Sequence, residues 1–231
     1  LLFIAEDRST RYQRLGEALI RGLTQATGEG FLYRVDMRLR PWGQVGPLVS
    51  TVSGHLDYLR QHARLWERQA LLKARVIAGN ESVGDSFLHL AAELPLEVST
   101  DEVRADVHAM KQLTETQLRI LGREWGEIKL GEGSIRDVEF ITQYLQLAHG
   151  GEDPYIISGN TLDGLARLVE RGFLRSEEYR VLVEGYVFLR TVEHYLQIFD
   201  YRQTNSLPGG RDELGYLAQR LGFSGPDAAG Q

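Results

Sequence analysis

A chain of 231 residues with 42% hydrophobic content has enough apolar side chain to bury a full core, as one large domain or two small ones. Its net charge of -6 argues against a general nucleic-acid surface, and no apolar run approaches the roughly 20 residues that a membrane span requires. The sequence has no cysteine, which excludes disulfides and thiolate metal sites, and a cytoplasmic protein is the expectation.

Leu1 to Ala5 reads as the tail of a buried strand with nothing before it to begin the element, so we expect a piece of a longer chain. Ser9 predicts the N-cap of a helix burying Tyr12, Leu15, Leu19 and Leu23, with Gly28 past its end. Residues 32–40 then read as a strand, because Tyr33, Val35, Met37 and Leu39 alternate with Arg34, Asp36, Arg38 and Arg40. Pro41 and Gly43 stop it. Strand, helix and strand fit a small mixed sheet covered by helices, its opening strands lying upstream.

The polar face of that strand sets three guanidinium groups around one carboxylate. Side chains two apart on a strand lie roughly 6.5 to 7 Å from one another, a spacing that suits a polyphosphate and its metal. Asp36 offers a hard oxygen of the kind Mg2+ prefers, and arginines fork onto phosphate oxygens. The same pattern also describes a solvated face on which Asp36 pairs with its neighbours.

From about Ser53 to Ala78 the periodicity predicts one helix, with a stripe of Leu56, Leu59, Ala63, Trp66, Ala70, Ala74 and Ile77. Arg60, Arg64, Glu67, Arg68 and Arg75 fall on another side. Gly79-Asn80 marks a boundary, giving domains 1–80 and 81–231. After a short amphipathic piece at about Ser86 to Glu93, Ser99 and Glu102 form a capping box. The helix it opens buries Val103, Val107, Met110, Thr114, Leu118 and Leu121.

Ile128 to Phe140 then interrupts the helices. Gly131 and Gly133 fit the first two positions of a dinucleotide fingerprint, but Arg136 stands where the third glycine belongs and no Gly-Lys-Ser/Thr follows. Ser134 reads as an N-cap reinforced by Asp137, whose charge opposes anion binding at a helix start. Three further helices are predicted at 134–149 (burying Ile135, Val138, Ile141, Leu145 and Ala148), Asn160 to Gly172, and Ser176 to about Phe199. A short one near Asp212 to Leu221 precedes a loose tail. Arg190, Glu193 and His194 interrupt the apolar stripe of the long helix, forming either an internal salt bridge or a direct part of a site.

Four segments carry a family resemblance. They are Tyr33-Arg34-Val35-Asp36-Met37-Arg38-Leu39-Arg40-Pro41 followed by Gly46-Pro47-Leu48-Val49, then Trp66-Glu67-x-Gln69-Ala70-Leu71-x-x-Ala74-Arg75, then Lys129-Leu130-Gly131-x-Gly133-Ser134-Ile135-Arg136-Asp137-Val138-Glu139-Phe140, and last Gln203-Thr204-x-x-Leu207-Pro208. Together they resemble the bifunctional glutamine synthetase adenylyltransferase/adenylyl-removing enzymes, which belong to the polymerase-beta-like nucleotidyltransferases. Ser134 departs from the family, which has a second adjacent glycine there.

The resemblance covers nearly the whole chain and implies a fold that is mainly α with a small α+β N-terminal part. Residues 1–80 would be the C-terminal portion of a nucleotidyltransferase domain, and residues 81–231 a helical bundle similar to that of PII-uridylyltransferases and adenylyltransferases. It implies three carboxylates around Mg2+, with Asp36 the third and the first two on a Ser-Asp-x-Asp strand upstream of Leu1. ATP or ADP and phosphate would be held by Arg34, Arg38, Arg40, Lys73 and Arg75, with Glu67, Lys129, Arg136, Asp137, Glu139, Arg190 and Glu193 in support. The motifs look more like the half that removes adenylyl from a glutamine synthetase tyrosine by phosphorolysis, releasing ADP, than the half that adds it from ATP. Glutamine synthetase and the PII signal protein are the expected partners, nucleic acid and membrane are not, and the isolated chain is expected to be inactive. The alternative is a non-catalytic helical docking module for glutamine synthetase or PII.

Overall fold

A computed structural model describes residues 2–7, 10–94, 99–200 and 204–224, so the expected Ser9 cap, Gln203 and the tail from residue 225 lie outside the described residues. The chain divides into two compact units, Leu1–Glu97 and Val98–Gln231. The fold is mainly α, with one small two-stranded sheet among the described residues.

In the first unit, β1 (Phe3–Ala5) pairs in parallel with β2 (Val49–Thr51), Phe3 opposite Val49 and Ala5 opposite Thr51. Between them runs α1 (Thr10–Thr24). The expected burial along this helix is corrected: Leu15 is 54% and Leu19 46% exposed, because two three-residue strands offer too little surface to cover a four-turn helix. The expected strand at 32–40 is also corrected. Residues 34–37 are irregular and 38–42 are turns and a bend, since the described strands β1 and β2 pair with each other and the alternating segment meets no ladder partner.

The single helix expected over 53–78 is two, α2 (Val52–Gln61) and α3 (Leu65–Leu71). Thr51 caps α2 by accepting a hydrogen bond from the Gly54 amide at 3.0 Å. The break is made by side chains. The Arg68 guanidinium donates to the Leu59 carbonyl at 2.8 Å, satisfying an orphan acceptor at the end of α2, and the Glu67 carboxylate accepts from the Arg64 amide at 2.8 Å to start α3.

Asn80, expected to end a helix, instead caps α4 (Glu81–Ala92) by accepting from the Ser82 amide at 3.0 Å. Phe87 of α4 packs with Leu56, Leu59 and Leu94, so α4 belongs to the first core. The boundary therefore falls after Glu97 and not after Asn80.

The second unit opens with the Ser99–Glu102 capping box and α5 (Thr100–Ile120), whose Val103, Val107 and Leu118 are buried while Leu121 at its end is 63% exposed. α6 (Ile135–His149), α7 (Thr161–Glu170), α8 (Ser176–Asp200) and α9 (Arg211–Arg220) follow. Val138, Ile156, Leu165, Leu168 and Leu174 form one core cluster, and Ile128, Val192 and Leu196 another, on which Leu207, Leu217 and Leu221 pack.

On α6, Ile141 is 40% exposed where burial was expected, and Thr142, Gln143 and Gln146 turn inward. The inversion has a polar cause: the Gln146 amide donates to the carbonyls of Ile156 and Ser158 at 2.9 and 3.1 Å, holding the connecting loop to the helix. Gly164 lets α7 come close to this face, where an added Cβ would stand 2.9 Å from Gln146 Nε2 and 3.0 Å from Thr142 Cγ2.

Candidate functional site

Each unit carries its own share of the expected residues. In the first, Asp36 and Arg38 form a forked pair: Arg38 Nε lies 3.1 and 2.9 Å from the two carboxylate oxygens, and Nη2 lies 2.6 Å from Oδ2. The Arg38 amide adds a fourth bond, at 2.9 Å to Oδ1. These side-chain and backbone bonds from Arg38 hold the Asp36 carboxyl down to about 2, so it is ionised at neutral pH. The pair is open to solvent, with side chains 56% and 76% exposed.

Arg34, Lys73 and Arg75 are exposed in the same unit. Arg40 has a different position. Its guanidinium donates to the carbonyls of Gly46, Met37 and Gln44 at 3.3, 3.4 and 2.9 Å, closing the loop that follows Asp36. That loop is tight enough to require glycine at 46, where a Cβ would lie 1.8 Å from the Pro41 carbonyl oxygen. Glu67 is buried, accepting from the Tyr58 hydroxyl at 2.7 Å and the Arg64 amide at 2.8 Å, which places it in the support of the helix break.

The sequence reading missed an aromatic group beside this loop. Trp42 adopts φ 63°, in the left-handed region that a bulky residue rarely enters, and its ring lies 5.1 Å from Tyr58 and 4.6 Å from His62. Pro41-Trp42-Gly43 was the available signal of a tight turn.

In the second unit, Lys129 lies in the turn between α5 and α6, and Arg136, Asp137 and Glu139 lie in the first turns of α6. Lys129 Nζ reaches Glu193 Oε1 at 3.1 Å, and Arg190 Nη1 reaches Oε2 at 2.6 Å, so the polar interruption of α8 is an internal salt bridge. His194 is exposed and stands apart from it. Asp137 accepts from the Gly133 amide at 2.8 Å and pairs with Lys111 of α5. Arg136 lies over the Phe140 ring, 5.7 Å from its centroid, and Glu139 accepts from Tyr186 at 3.5 Å.

Ser134 occupies the N-cap position without capping. Its hydroxyl donates to the Lys129 carbonyl at 2.9 Å, correcting the expected role, because the Arg136 and Asp137 amides that it would cap are bonded to the Lys129 and Ser134 carbonyls at 3.1 and 3.0 Å. The first amides of α6 are also engaged, Ile135 with the Ile128 carbonyl at 3.0 Å and Arg136 with that of Lys129 at 3.1 Å. The start of α6 is therefore closed on the turn, and these helix amides are not open to a phosphate.

Just before the turn the chain meets another of the sequence motifs. Ile128 N donates to the Asn205 carbonyl and Leu207 N to the Gly126 carbonyl, both at 2.9 Å, so residues 126–128, which lead into Lys-Leu-Gly, pair with the Thr-x-x-Leu-Pro segment.

Residues 5–90 match the family model GlnE, described as glutamate-ammonia ligase adenylyltransferase, and residues 101–231, more than half of the chain, match GlnD PII-uridylyltransferase. The chain belongs to the GlnE/GlnD family. Among curated GlnE-type relatives, it is 40% identical over 211 residues to the bifunctional glutamine synthetase adenylyltransferase/adenylyl-removing enzyme of Streptomyces avermitilis, covering 91% of this chain and 21% of that protein. Enzymes of the same name from Pseudomonas putida and Nitrosomonas europaea are 40% and 38% identical over 222 residues each, covering 94% and 93% of this chain and 22% and 23% of theirs. The chain thus spans about a fifth of the length of the relatives it matches. The two family matches fall on either side of the division between the units.

Proposed function

We propose that this chain is part of an enzyme that controls glutamine synthetase by removing an adenylyl group from one of its tyrosines, with phosphate as acceptor and ADP as product. The observation that carries the reading is the Asp36–Arg38 fork: an exposed carboxylate, held ionised by an arginine, within the segment that matches GlnE. On this reading the first unit belongs to a nucleotidyltransferase domain, and the second is its helical companion. Asp36 is the catalytic carboxylate, and Arg34, Arg38, Lys73 and Arg75 are the exposed cations that would meet phosphate oxygens of ATP, ADP or phosphate. Arg40 serves by shaping the loop.

Mg2+ is part of the proposal through Asp36, and the described residues do not fit that ion by themselves. Both Asp36 oxygens face Arg38, and no group of three or more His, Asp or Glu that could hold a metal occurs among the described residues. Mg2+ requires near-octahedral oxygen ligands, so further carboxylates from the longer protein must complete such a site. Glutamine synthetase is the proposed substrate and the PII signal protein a proposed partner. Their support is the activity for which the relatives are named and the GlnD match over residues 101–231.

The test is release of ADP from adenylylated glutamine synthetase with phosphate and Mg2+, comparing the 231-residue chain with one extended upstream. The extended form is expected to be active and the short form inactive. Equal activity in both would contradict the reading, and an extended form that instead transfers adenylyl from ATP would assign the chain to the adding half.

A further inference from the structure

Glu127 is a buried carboxylate without a cation. It is 7% exposed, and its Oε1 accepts from the Lys129 and Leu130 amides at 3.1 and 3.3 Å. Its Oε2 accepts no hydrogen bond from any described residue. The nearest ammonium along the chain, that of Lys129, is committed to Glu193 at 3.1 Å. The two amides compensate Oε1, and Oε2 is not among the fully buried atoms without a partner, so it opens on the space beside it.

The same residue lines a cavity of about 390 Å³ within the second unit, between the end of α5, the glycine-rich turn and α8. Glu115, Glu124 and Glu132 share the wall, and Arg119 is the cation among the lining residues. Arg119 does not serve Glu127: its Nε is on Glu124 at 3.1 Å. Glu115 is likewise taken, by Lys111 at 2.7 Å. Glu127 and the exposed Glu132 remain as acceptors without a cation.

We propose that this cavity binds a guanidinium group, with Glu127 Oε2 as its acceptor. A compact metal ion does not suit the wall, since no three carboxylates converge there among the described residues. A planar fork with five donors does suit it, because it can engage one carboxylate oxygen in the depth and a second acceptor at the rim. The volume is in the range of small-ligand pockets and admits the aliphatic stem behind the guanidinium. The group could be carried by a free small molecule or by an arginine side chain of a protein, and the chemistry at Glu127 is the same for both.

The experiment is a titration of the 231-residue chain followed by backbone amide NMR, with L-arginine, the tripeptide Gly-Arg-Gly and its citrulline counterpart as probes. Saturable shifts at Gly126, Gly131 and Gly133 are expected with an arginine-bearing probe and not with the citrulline peptide, which has the same shape without the charge. Glu127→Gln is expected to weaken binding about tenfold or more, the loss of one charge-assisted hydrogen bond. Free arginine binding as well as the tripeptide would identify a small molecule as the source, and binding of the tripeptide alone a protein side chain. No saturable shift with either arginine probe, equal shifts with citrulline, or unchanged affinity in Glu127→Gln would overturn the proposal. The citrulline comparison is made on the unaltered chain and stands even if the variant does not fold.

Discussion

Lys129 Nζ lies 3.1 Å from Glu193 Oε1, tying the turn before α6 to the middle of α8. Glu193 is buried with its side chain 5% exposed, and Arg190 takes its other oxygen at 2.6 Å. Either cation neutralises the carboxylate; losing both strands a charge in the interior. Lys129→Met and Arg190→Met together are therefore expected to destabilise the chain by about 3–5 kcal/mol, and by more than the sum of the single changes. Urea unfolding of the four forms measures this. Additive losses would show that the two cations act independently and do not substitute for each other at Glu193.

His55 gives the first unit a pH dependence. Its ring is 2% exposed, 4.9 Å from Phe87 and 6.4 Å from Tyr58, and Nδ1 has no hydrogen-bond partner among the described residues. Burial pushes the imidazole down from 6.5 to about 4. The folded state thus prefers the neutral ring, while the unfolded chain takes up a proton near 6.5. The stability is complete above that value and declines as pH falls from 6.5 toward 4, by about 1.4 kcal/mol per pH unit. Unfolding midpoints at pH 7 and pH 5 should differ more in the wild type than in His55→Leu, in which nothing titrates at this position. Identical pH dependence in both would remove His55 as the cause.

Asp36 and Arg38 adjust charge and contribute little to the fold. The pair is exposed and screened by solvent, so Arg38→Ala should barely move the unfolding midpoint. It should still raise the Asp36 carboxyl from about 2 toward the ordinary 3.8, because the largest cause of its depression is the Arg38 side chain. Carboxyl NMR through an acid titration reads both values. An Asp36 that titrates near 3.8 in the unaltered chain would show that the fork does not persist in solution.

What the sequence made legible was local. The Ser99–Glu102 box starts α5, Asn160 caps α7 through the Leu162 and Asp163 amides, and the Arg-x-Asp-x-Arg spacing puts Asp36 and Arg38 in reach of each other. What stayed hidden depends on partners distant along the chain. Residues 32–40 have a strand's alternation, but a strand exists only when another strand accepts its hydrogen bonds. The break between α2 and α3 rests on Arg68 reaching Leu59 and Leu94, and the inward amide face of α6 on Gln146 reaching Ile156 and Ser158. Periodicity favours apolar residues for burial and carries no sign of such polar contacts. For Glu193 it left two readings open, and the ion pair with Lys129 shows the salt bridge.

The central claim, that Asp36 is the catalytic carboxylate of an adenylyl-removing enzyme, is tested most directly by Asp36→Asn in the full-length protein. The measurement is the initial rate of ADP release from adenylylated glutamine synthetase with phosphate and Mg2+. The account predicts a fall of about 100-fold to 1000-fold with an unchanged unfolding midpoint, since an amide keeps the shape of the carboxyl and loses its charge. A variant that turns over at the normal rate would contradict it.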